Sequence, residues 1–231
     1  MAKAFSHTLV VHDDPKAISS EAFRTLRTNL KYISPDAGLR TILFTSAGPG
    51  EGKSTVSANL AASMAQTGNR VILVDCDLRK PVVHRFFNAH NSVGLTSILT
   101  GQVQLTEAIR KTKCEGLDII TSGPIPPNPA ELLQSKAMQT ILEQLQAHYD
   151  MIVLDAPPVL PVADALILAP YTDGVVFVVA AQEVPKDIAL RAKQLIENTN
   201  TKILGVVLNR VNLAREGEQY YYNYYSSESK D

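Results

Sequence analysis

Nine consecutive residues, 47–55, have the composition of a phosphate-binding loop: Ala-Gly-Pro-Gly-Glu-Gly-Lys-Ser-Thr. Glycines let successive backbone N–H groups point at phosphate oxygens, and the N-terminus of a following helix favours negative charge. Lys53 is then placed to reach the β- and γ-phosphates, and the Ser54 hydroxyl is a ligand for Mg²⁺. The segment is therefore predicted to bind ATP. The residues predicted to contact the nucleotide are Gly48, Pro49, Gly50, Glu51, Gly52, Lys53, Ser54 and Thr55.

Two positions in this loop bear on the class of enzyme. Ala47 replaces the first glycine of the general pattern, which is a mild departure. Gly48 occupies the position five residues before Lys53, where partition and septum-site ATPases carry a second lysine. The missing lysine argues against that class of switch ATPase, in which hydrolysis controls dimerisation on DNA or a membrane.

Three aspartates lie at the ends of two apolar runs. Asp75 and Asp77 close the run Ile-Leu-Val-Asp-Cys-Asp, and Asp155 closes Ile-Val-Leu-Asp. Carboxylates at strand ends beside a phosphate loop hold Mg²⁺ and its waters in phosphoryl-transfer sites. Asp75 and Asp77 are two residues apart, so on a strand they are expected to project to one face and approach one cation.

Five of the last twelve residues are tyrosine, and residues 215–231 contain no aliphatic side chain. Such a tail cannot bury enough surface to offset its ordering entropy, so it is predicted to be flexible. A nucleotide site and a cluster of phenols on one chain predict an enzyme that phosphorylates itself on tyrosine. The predicted acceptors are Tyr220, Tyr221, Tyr222, Tyr224 and Tyr225.

Transfer of phosphate to a phenol also needs a group that accepts the phenolic proton. An ordinary aspartate and a tyrosine differ by about six pKa units, so early proton transfer would cost roughly 8 kcal/mol. The base is therefore expected to act late and mainly to orient the phenol, while Lys53 and Mg²⁺ stabilise developing charge.

The chain has 231 residues and is 45% hydrophobic, so one core is expected. Its formal net charge is −1, so the overall charge does not favour binding to nucleic acid. It lacks a signal peptide and an apolar run long enough to span a membrane, so a cytoplasmic protein is predicted. Apolar runs alternate with helical patterns, which favours an α/β fold with a mostly parallel central sheet and helices on both faces. Strands are predicted at 41–45, 70–75, 117–121, 151–155, 174–179 and 203–209, and helices at 53–66, 135–148 and 185–198.

Three regions are predicted: an N-terminal segment (1–38), a P-loop core (39–213) and the tyrosine-rich tail (214–231). The N-terminal segment contains an amphipathic helix at 19–33. Its apolar stripe is expected to pack on the core. The stripe comprises Phe23, Leu26 and Leu30, and a charged stripe comprises Glu21, Arg24 and Arg27.

Together these motifs resemble the bacterial tyrosine kinases of the polysaccharide-export family, in the form that exists as a separate cytoplasmic polypeptide. The resemblance covers the helix motif Glu-x-x-Arg-x-x-Arg, the phosphate loop, both aspartate strands and the tyrosine cluster. It implies that Asp75 is the catalytic base, acting with Lys53 and Asp77. It further implies that Asp77 and Asp155 organise Mg²⁺ with Ser54, and that Asn209 contacts the adenine.

The resemblance also implies partners. The charged helix stripe would lie between subunits of a homo-oligomeric ring, in which the tail of one copy is phosphorylated by another in trans. A transmembrane activator of the chain-length-regulator type would recruit the kinase to the inner face of the membrane. A cognate phosphotyrosine phosphatase and protein substrates in capsule or exopolysaccharide synthesis complete the expected set.

Two other interpretations remain open from the sequence. One is a switch ATPase of the partition or septum-site type. The other is an adaptor that binds nucleotide and presents tyrosines to a different kinase. Replacing Lys53 by Met distinguishes the kinase from both alternatives, because only a self-phosphorylating kinase would lose phosphate from its tail.

Overall fold

The computed structural model describes residues 7–33 and 38–211, and within them seven strands form one sheet. In chain order the strands are β1 (Thr41–Ser46), β2 (Val71–Asp75), β3 (Arg110–Lys111), β4 (Leu117–Ile120), β5 (Met151–Asp155), β6 (Gly174–Ala180) and β7 (Ile203–Asn209). Their spatial order is β3-β4-β2-β5-β1-β6-β7, and every neighbouring pair is parallel except β3 with β4. The predicted mostly parallel α/β sheet is confirmed.

Ten α-helices accompany the sheet in the described part of the chain. In chain order they are α1 (Val10–Asp13), α2 (Ile18–Ile33), α3 (Lys53–Ala65), α4 (Val83–Phe86), α5 (Leu95–Leu99), α6 (Leu105–Ala108), α7 (Pro129–Gln134), α8 (Lys136–His148), α9 (Asp164–Leu168) and α10 (Lys186–Glu197). Successive residues of β1 alternate between two buried apolar clusters, so each face of the sheet has its own core. Leu142 of α8 and Ala192 of α10 belong to one cluster, and Leu60 of α3 belongs to the other.

The six predicted strands are all present, with bounds that differ by at most one residue. The predicted helix 135–148 begins one residue later, because Ser135 is its N-cap and accepts a hydrogen bond from the backbone N–H of Met138. The edge strand β3 was not predicted, since a two-residue strand has no periodicity to recognise. The helices of four and five residues were missed for the same reason.

The predicted N-terminal helix corresponds to α2, which begins at Ile18 and packs on α3. Leu30 is buried, and Phe23 and Leu26 are partly buried against the same cluster as α3, as the apolar stripe predicted. Neither α2 nor any other helix in residues 7–33 and 38–211 combines the length and the apolar character needed to cross a membrane.

The register of the sheet brings the predicted site residues to one edge. Asp155 at the end of β5 is the Cα partner of Asp75 on one side and of Phe44 on the other. Two residues beyond Phe44, β1 ends and the phosphate loop begins. Because parallel strands end at the same edge of a sheet, the phosphate loop, Asp75 and Asp155 lie close together there.

Gly94, which precedes α5, is expected to be intolerant of any side chain. A Cβ there would lie 2.2 Å from the carbonyl oxygen of Thr121 and 2.4 Å from the backbone nitrogen of Gly123, and neither backbone group can move aside cheaply. Gly94→Ala should therefore lower the free energy of unfolding by about 1–3 kcal/mol, measured by urea denaturation.

Gly205→Ala is the matched control, because no atom of residues 7–33 or 38–211 lies within 4 Å of the position of its Cβ. It should leave the urea midpoint almost unchanged. Equal midpoints for Gly94→Ala and wild type would show that the close approach beside Gly94 does not constrain the fold.

Candidate active site

The phosphate loop runs from Ala47 to Gly52, between the end of β1 and the start of α3. Gly50 and Gly52 have φ angles of 82° and 90°, in the left-handed region that favours glycine. Gly52 is also restricted in space, since a Cβ on it would lie 2.0 Å from Nδ2 of Asn209. Backbone conformation therefore favours glycine at both positions, and at Gly52 the lack of space for a Cβ favours it as well.

The loop is held by the ends of the two strands beyond β1. The Glu51 carboxylate accepts hydrogen bonds from the backbone N–H of Gly48 and, at 3.3 Å, from that of Ala180 at the end of β6. Burial raises the pKa of Glu51, and these two N–H donors oppose the rise. At the end of β7, the Asn209 amide donates to the Glu51 carbonyl at 2.9 Å. Asn209 thus braces the loop, and its predicted contact with adenine stays a prediction.

Lys53 connects the loop to two of the predicted aspartates. Its Nζ lies 3.1 Å from Oδ2 of Asp77, 3.5 Å from Oδ2 of Asp155 and 3.1 Å from Oγ of Ser54. Burial alone would lower the pKa of Lys53, but the charges of Asp155 and Asp77 outweigh it, so the pKa is raised. The side chain is a buried ammonium held among carboxylates.

Asp75 is enclosed completely. Its Oδ1 accepts from the backbone N–H of Asp77 at 3.2 Å, and its Oδ2 accepts from that of Val83 at 3.0 Å. Burial, followed by the charge of Asp155, raises the pKa of Asp75 to about 8, against the opposing charge of Lys53. The neutral carboxylic acid therefore predominates near pH 7 in the absence of bound ligands.

Asp75 and Asp77 differ in direction, contrary to the prediction that both project from a strand to one cation. The prediction was wrong because β2 ends at Asp75, so strand alternation does not extend to Asp77. Asp77 turns Oδ2 to Lys53 and Oδ1 to the backbone N–H of Lys80, at 2.9 Å. Asp75 instead holds the backbone of the segment that covers it.

Asp155 has an oxygen with no hydrogen-bond partner among the described residues. Its Oδ2 faces Lys53, whereas its buried Oδ1 is unsatisfied. Burial raises the pKa of Asp155, while the Lys53 charge and a hydrogen bond from Ser54 oppose the rise. A buried carboxylate oxygen beside a serine hydroxyl fits a hard cation, because Mg²⁺ prefers oxygen ligands.

The oxygen atoms of Ser54, Asp77 and Asp155 are suited to Mg²⁺ rather than to a metal ion that is coordinated by protein side chains alone. Among residues 7–33 and 38–211, no three His, Cys, Asp or Glu side chains form a metal cage. Mg²⁺ keeps several waters and shares substrate phosphates, so one or two carboxylates and a hydroxyl are sufficient. Ser54, Asp77 and Asp155 are close enough to Lys53 to form such a partial set.

The Arg79–Asp164 ion pair is a feature that the sequence interpretation missed. The guanidinium Nε and Nη2 of Arg79 lie 2.8 and 2.9 Å from the two oxygens of Asp164, which is fully buried at the start of α9. Arg79 follows β2 and Asp164 follows β5, so the pair ties together the two segments that carry the aspartates. The only sequence signal was an arginine two residues after Asp77.

The other predicted residues are placed as follows. Thr55 lies in the first turn of α3. Arg24 pairs with Glu21 at 2.8 Å on α2, and Arg27 donates to the carbonyl of Ser63 on α3 at 2.6 Å. These contacts lie within one chain, and the predicted role of the three residues between subunits stays a prediction. The five tail tyrosines lie outside the described residues.

The chain is similar to known proteins over nearly its whole length. A family model described as an AAA domain matches residues 39–206. Tyrosine-protein kinase YwqD of Bacillus subtilis is 44% identical over 93% of this chain and 90% of its own. The structure of the chimerical protein CapA2B2 is 44% identical, with a TM-score of 0.86 over 90% of this chain and 91% of its own.

A third relative is the kinase domain of the Escherichia coli tyrosine kinase ETK. It is 32% identical, with a TM-score of 0.83 over 88% of this chain and 82% of that domain. The septum-site-determining protein MinD of Pyrococcus horikoshii has a TM-score of 0.65 over 75% of this chain and 71% of its own, at 24% identity, and so shares the fold alone.

The sheet and its loop define a P-loop nucleotide-binding domain of the AAA-domain class. Within that class, the chain belongs to the bacterial tyrosine kinases of the capsule family. The predicted family and enzyme class are thereby confirmed.

Arg79→Ala is expected to destabilise the protein, because it leaves the buried carboxylate of Asp164 unpaired. The loss should be about 2 kcal/mol, less than for a fully enclosed pair, since the Arg79 side chain is 39% exposed. Arg70→Ala is the control: it breaks an ion pair with Asp150 at the opposite edge of the sheet, where both side chains are exposed. Equal urea midpoints for the two variants would contradict this assignment.

The metal-free protein is expected to lose stability as the pH rises from about 5 to 8. Asp75 keeps its proton up to about pH 8 in the folded chain, whereas an unfolded aspartate releases it near pH 4. Between these values the folded chain holds more protons than the unfolded chain, so the free energy of unfolding falls as the pH rises.

Asp155→Asn tests this pH dependence, because it removes the charge that helps to raise the pKa of Asp75. Urea unfolding in EDTA, at several pH values over this range, should give a shallower decrease for Asp155→Asn than for wild type. A decrease of the same steepness in both proteins would contradict the proposed coupling of the two carboxylates.

Proposed function

We propose that this chain is an ATP- and Mg²⁺-dependent protein-tyrosine kinase that phosphorylates its C-terminal tyrosine cluster in trans. Its biological role is to regulate the synthesis and export of capsular or extracellular polysaccharide. The observation that carries the proposal is the position of Lys53 on the phosphate loop, within 3.5 Å of Asp77, Asp155 and Ser54.

The proposed binding of ATP uses the loop as predicted. The backbone of residues 48–52 and the N-terminus of α3 receive the phosphates, and Lys53 contacts the β- and γ-phosphates. To reach them, Lys53 exchanges its present contacts with Asp77 and Asp155 for phosphate oxygens. Ser54, Asp77 and Asp155 would hold Mg²⁺, whose charge neutralises that of the phosphates.

The proposed base is Asp75. In the ligand-free chain its pKa of about 8 keeps it mostly protonated near pH 7, so it would accept the phenolic proton only once the charge of Mg²⁺ at the neighbouring carboxylates lowers that pKa and ionises it. Both of its oxygens are now hydrogen-bonded to the backbone of Asp77 and Val83. A phenol therefore reaches Asp75 only after residues 76–83 shift, which couples proton transfer to arrival of the acceptor.

The proposed partners follow from family membership. The chain would form a homo-oligomeric ring through α2, with Glu21, Arg24 and Arg27 exchanging some internal contacts for contacts with a neighbour. It would be cytoplasmic and recruited to the inner face of the membrane by a transmembrane activator of the chain-length-regulator type. A phosphotyrosine phosphatase and other proteins of polysaccharide synthesis would act on it or be its substrates, and no nucleic acid is involved.

The first test of this function is phosphopeptide mapping of the protein from its native cells. A strain that carries only Lys53→Met should lose phosphate from residues 220–225, because the phosphate loop no longer binds ATP productively. Circular dichroism of the variant provides the control for folding. Phosphate that persists on Lys53→Met would identify the chain as a substrate of another kinase, and an unphosphorylated wild type would favour the switch ATPase.

Transfer in trans is tested by mixing two variants, one that cannot transfer phosphate and one whose tail cannot accept it. The acceptor is the Lys53→Met chain, and the enzyme is an active chain in which the five tail tyrosines are replaced by Phe. Phosphate should appear on the Lys53→Met tail at a rate that increases with enzyme concentration. Phosphorylation of wild type without any transfer in the mixture would show that the reaction occurs within one chain.

A further inference from the structure

A positively charged surface follows directly after the candidate catalytic aspartates. Residues 78–106 contain no Asp or Glu, whereas Arg79, Lys80 and Arg85 lie close together in the sequence just after Asp77. Arg79 is committed to Asp164. Lys80 and Arg85 are both exposed, and neither has an ion-pair partner among the described residues. We refer to Lys80 and Arg85 as the basic rim.

The basic rim is fixed to the site by its own backbone. The N–H of Lys80 donates to Asp77, and the N–H of Val83 donates to Asp75. Arg85 follows Val83 by two residues, so its Cα lies within about 7 Å of that of Val83. Burial, followed by the charge of Arg85, lowers the pKa of His7 and of His84, so both imidazoles lie near this guanidinium. The basic rim therefore belongs to the segment that covers Asp75.

The C-terminal tail has the complementary charge pattern. Residues 214–231 carry four acidic and two basic side chains, a net charge of −2. Residues 219–227, which include all five tyrosines, contain no charged side chain. The acidic residues flank this stretch on both sides, at Glu216 and Glu218 before it and at Glu228 and Asp231 after it.

We infer that Lys80 and Arg85 are the docking surface for the acceptor segment, and that the substrate class is a tyrosine flanked by carboxylates. The occupant is the tail, residues 214–231, of a second copy of this chain. The inference rests on the proposed kinase function and adds to it the feature by which an acceptor is recognised.

The order of the strands favours a second copy over the chain's own tail. The described chain leaves β7, and four strand spacings, about 19 Å, separate β7 from β2. Nine residues join Val211 to Tyr220 and span at most about 30 Å. The direct path, however, crosses the end of β1, where the phosphate loop holds ATP in the proposed function. A tail from a neighbouring copy need not start at β7 of the same sheet and so need not cross the nucleotide.

The test measures acceptor KM with a full-length chain as substrate. The enzyme has its five tail tyrosines replaced by Phe, and the acceptor is Lys53→Met. Adding Lys80→Ala and Arg85→Ala to the enzyme should raise KM for the acceptor about tenfold, which corresponds to two exposed ion pairs, with kcat and KM for ATP unchanged. Lys113→Ala with Lys202→Ala is the control, because it removes two exposed cations that lie before β4 and before β7, at the opposite edge of the sheet.

The reciprocal change is made on the acceptor. Replacing Glu216, Glu218 and Glu228 by Gln and Asp231 by Asn should raise KM by the same factor for the parent enzyme. It should have little further effect on the enzyme that lacks Lys80 and Arg85, since the two changes remove one interaction. High salt should raise KM for the parent pair and not for the doubly changed pair.

The outcomes separate the two proposals. A parent enzyme that transfers phosphate normally but shows no change in acceptor KM on loss of Lys80 and Arg85 overturns the docking surface alone. An equal rise in KM for the Lys113 and Lys202 control also overturns it, since only net charge would then matter. A parent enzyme that transfers no phosphate from ATP to any tyrosine overturns the proposed function and this inference together.

Discussion

The buried ammonium of Lys53, surrounded by carboxylates, is the interaction on which the rest of the site depends. One positive charge is shared by Asp77 and Asp155, at 3.1 and 3.5 Å, and it also limits the rise in the pKa of Asp75 that burial and Asp155 cause. Three carboxylates with one cation leave an excess of negative charge in a buried place, so one carboxylate stays protonated. The same excess makes the site receptive to a divalent cation, and Asp155 Oδ1 is the unsatisfied atom that such an ion would use.

The fold supplies this arrangement through strand register and through contacts between loops. Pairing of β5 with β1 and β2 places Asp155 beside both the phosphate loop and Asp75. On the other flank of β1, Ala180 at the end of β6 and Asn209 at the end of β7 hold the phosphate loop by hydrogen bonds to Glu51. Arg79 and Asp164 join the segments that follow β2 and β5. The catalytic edge is therefore braced by groups from five strands or their following segments, which keeps the charged side chains at fixed separations.

Much of this architecture could be predicted from the sequence, because continuous apolar runs specify buried parallel strands and the phosphate loop has a recognisable order of residues. The direction of each aspartate could not be predicted. It depends on β2 ending at Asp75 rather than at Asp77, a difference of two residues that no periodicity reveals. The Arg79–Asp164 pair could not be predicted either, because its partners are 85 residues apart. The hydrogen bond from Ala180 to Glu51 could not be predicted, because it depends on the tertiary packing of the loop.

The central claim is that the orphaned oxygen of Asp155, together with Ser54 and Asp77, completes a Mg²⁺–nucleotide site on the phosphate loop. Calorimetric titration of ADP into the purified chain, with Mg²⁺ and with EDTA, tests it most directly. Mg²⁺ should tighten ADP binding to wild type, whereas Asp155→Asn should bind ADP in EDTA as wild type does but gain little from Mg²⁺. An equal gain from Mg²⁺ in both proteins would contradict the account.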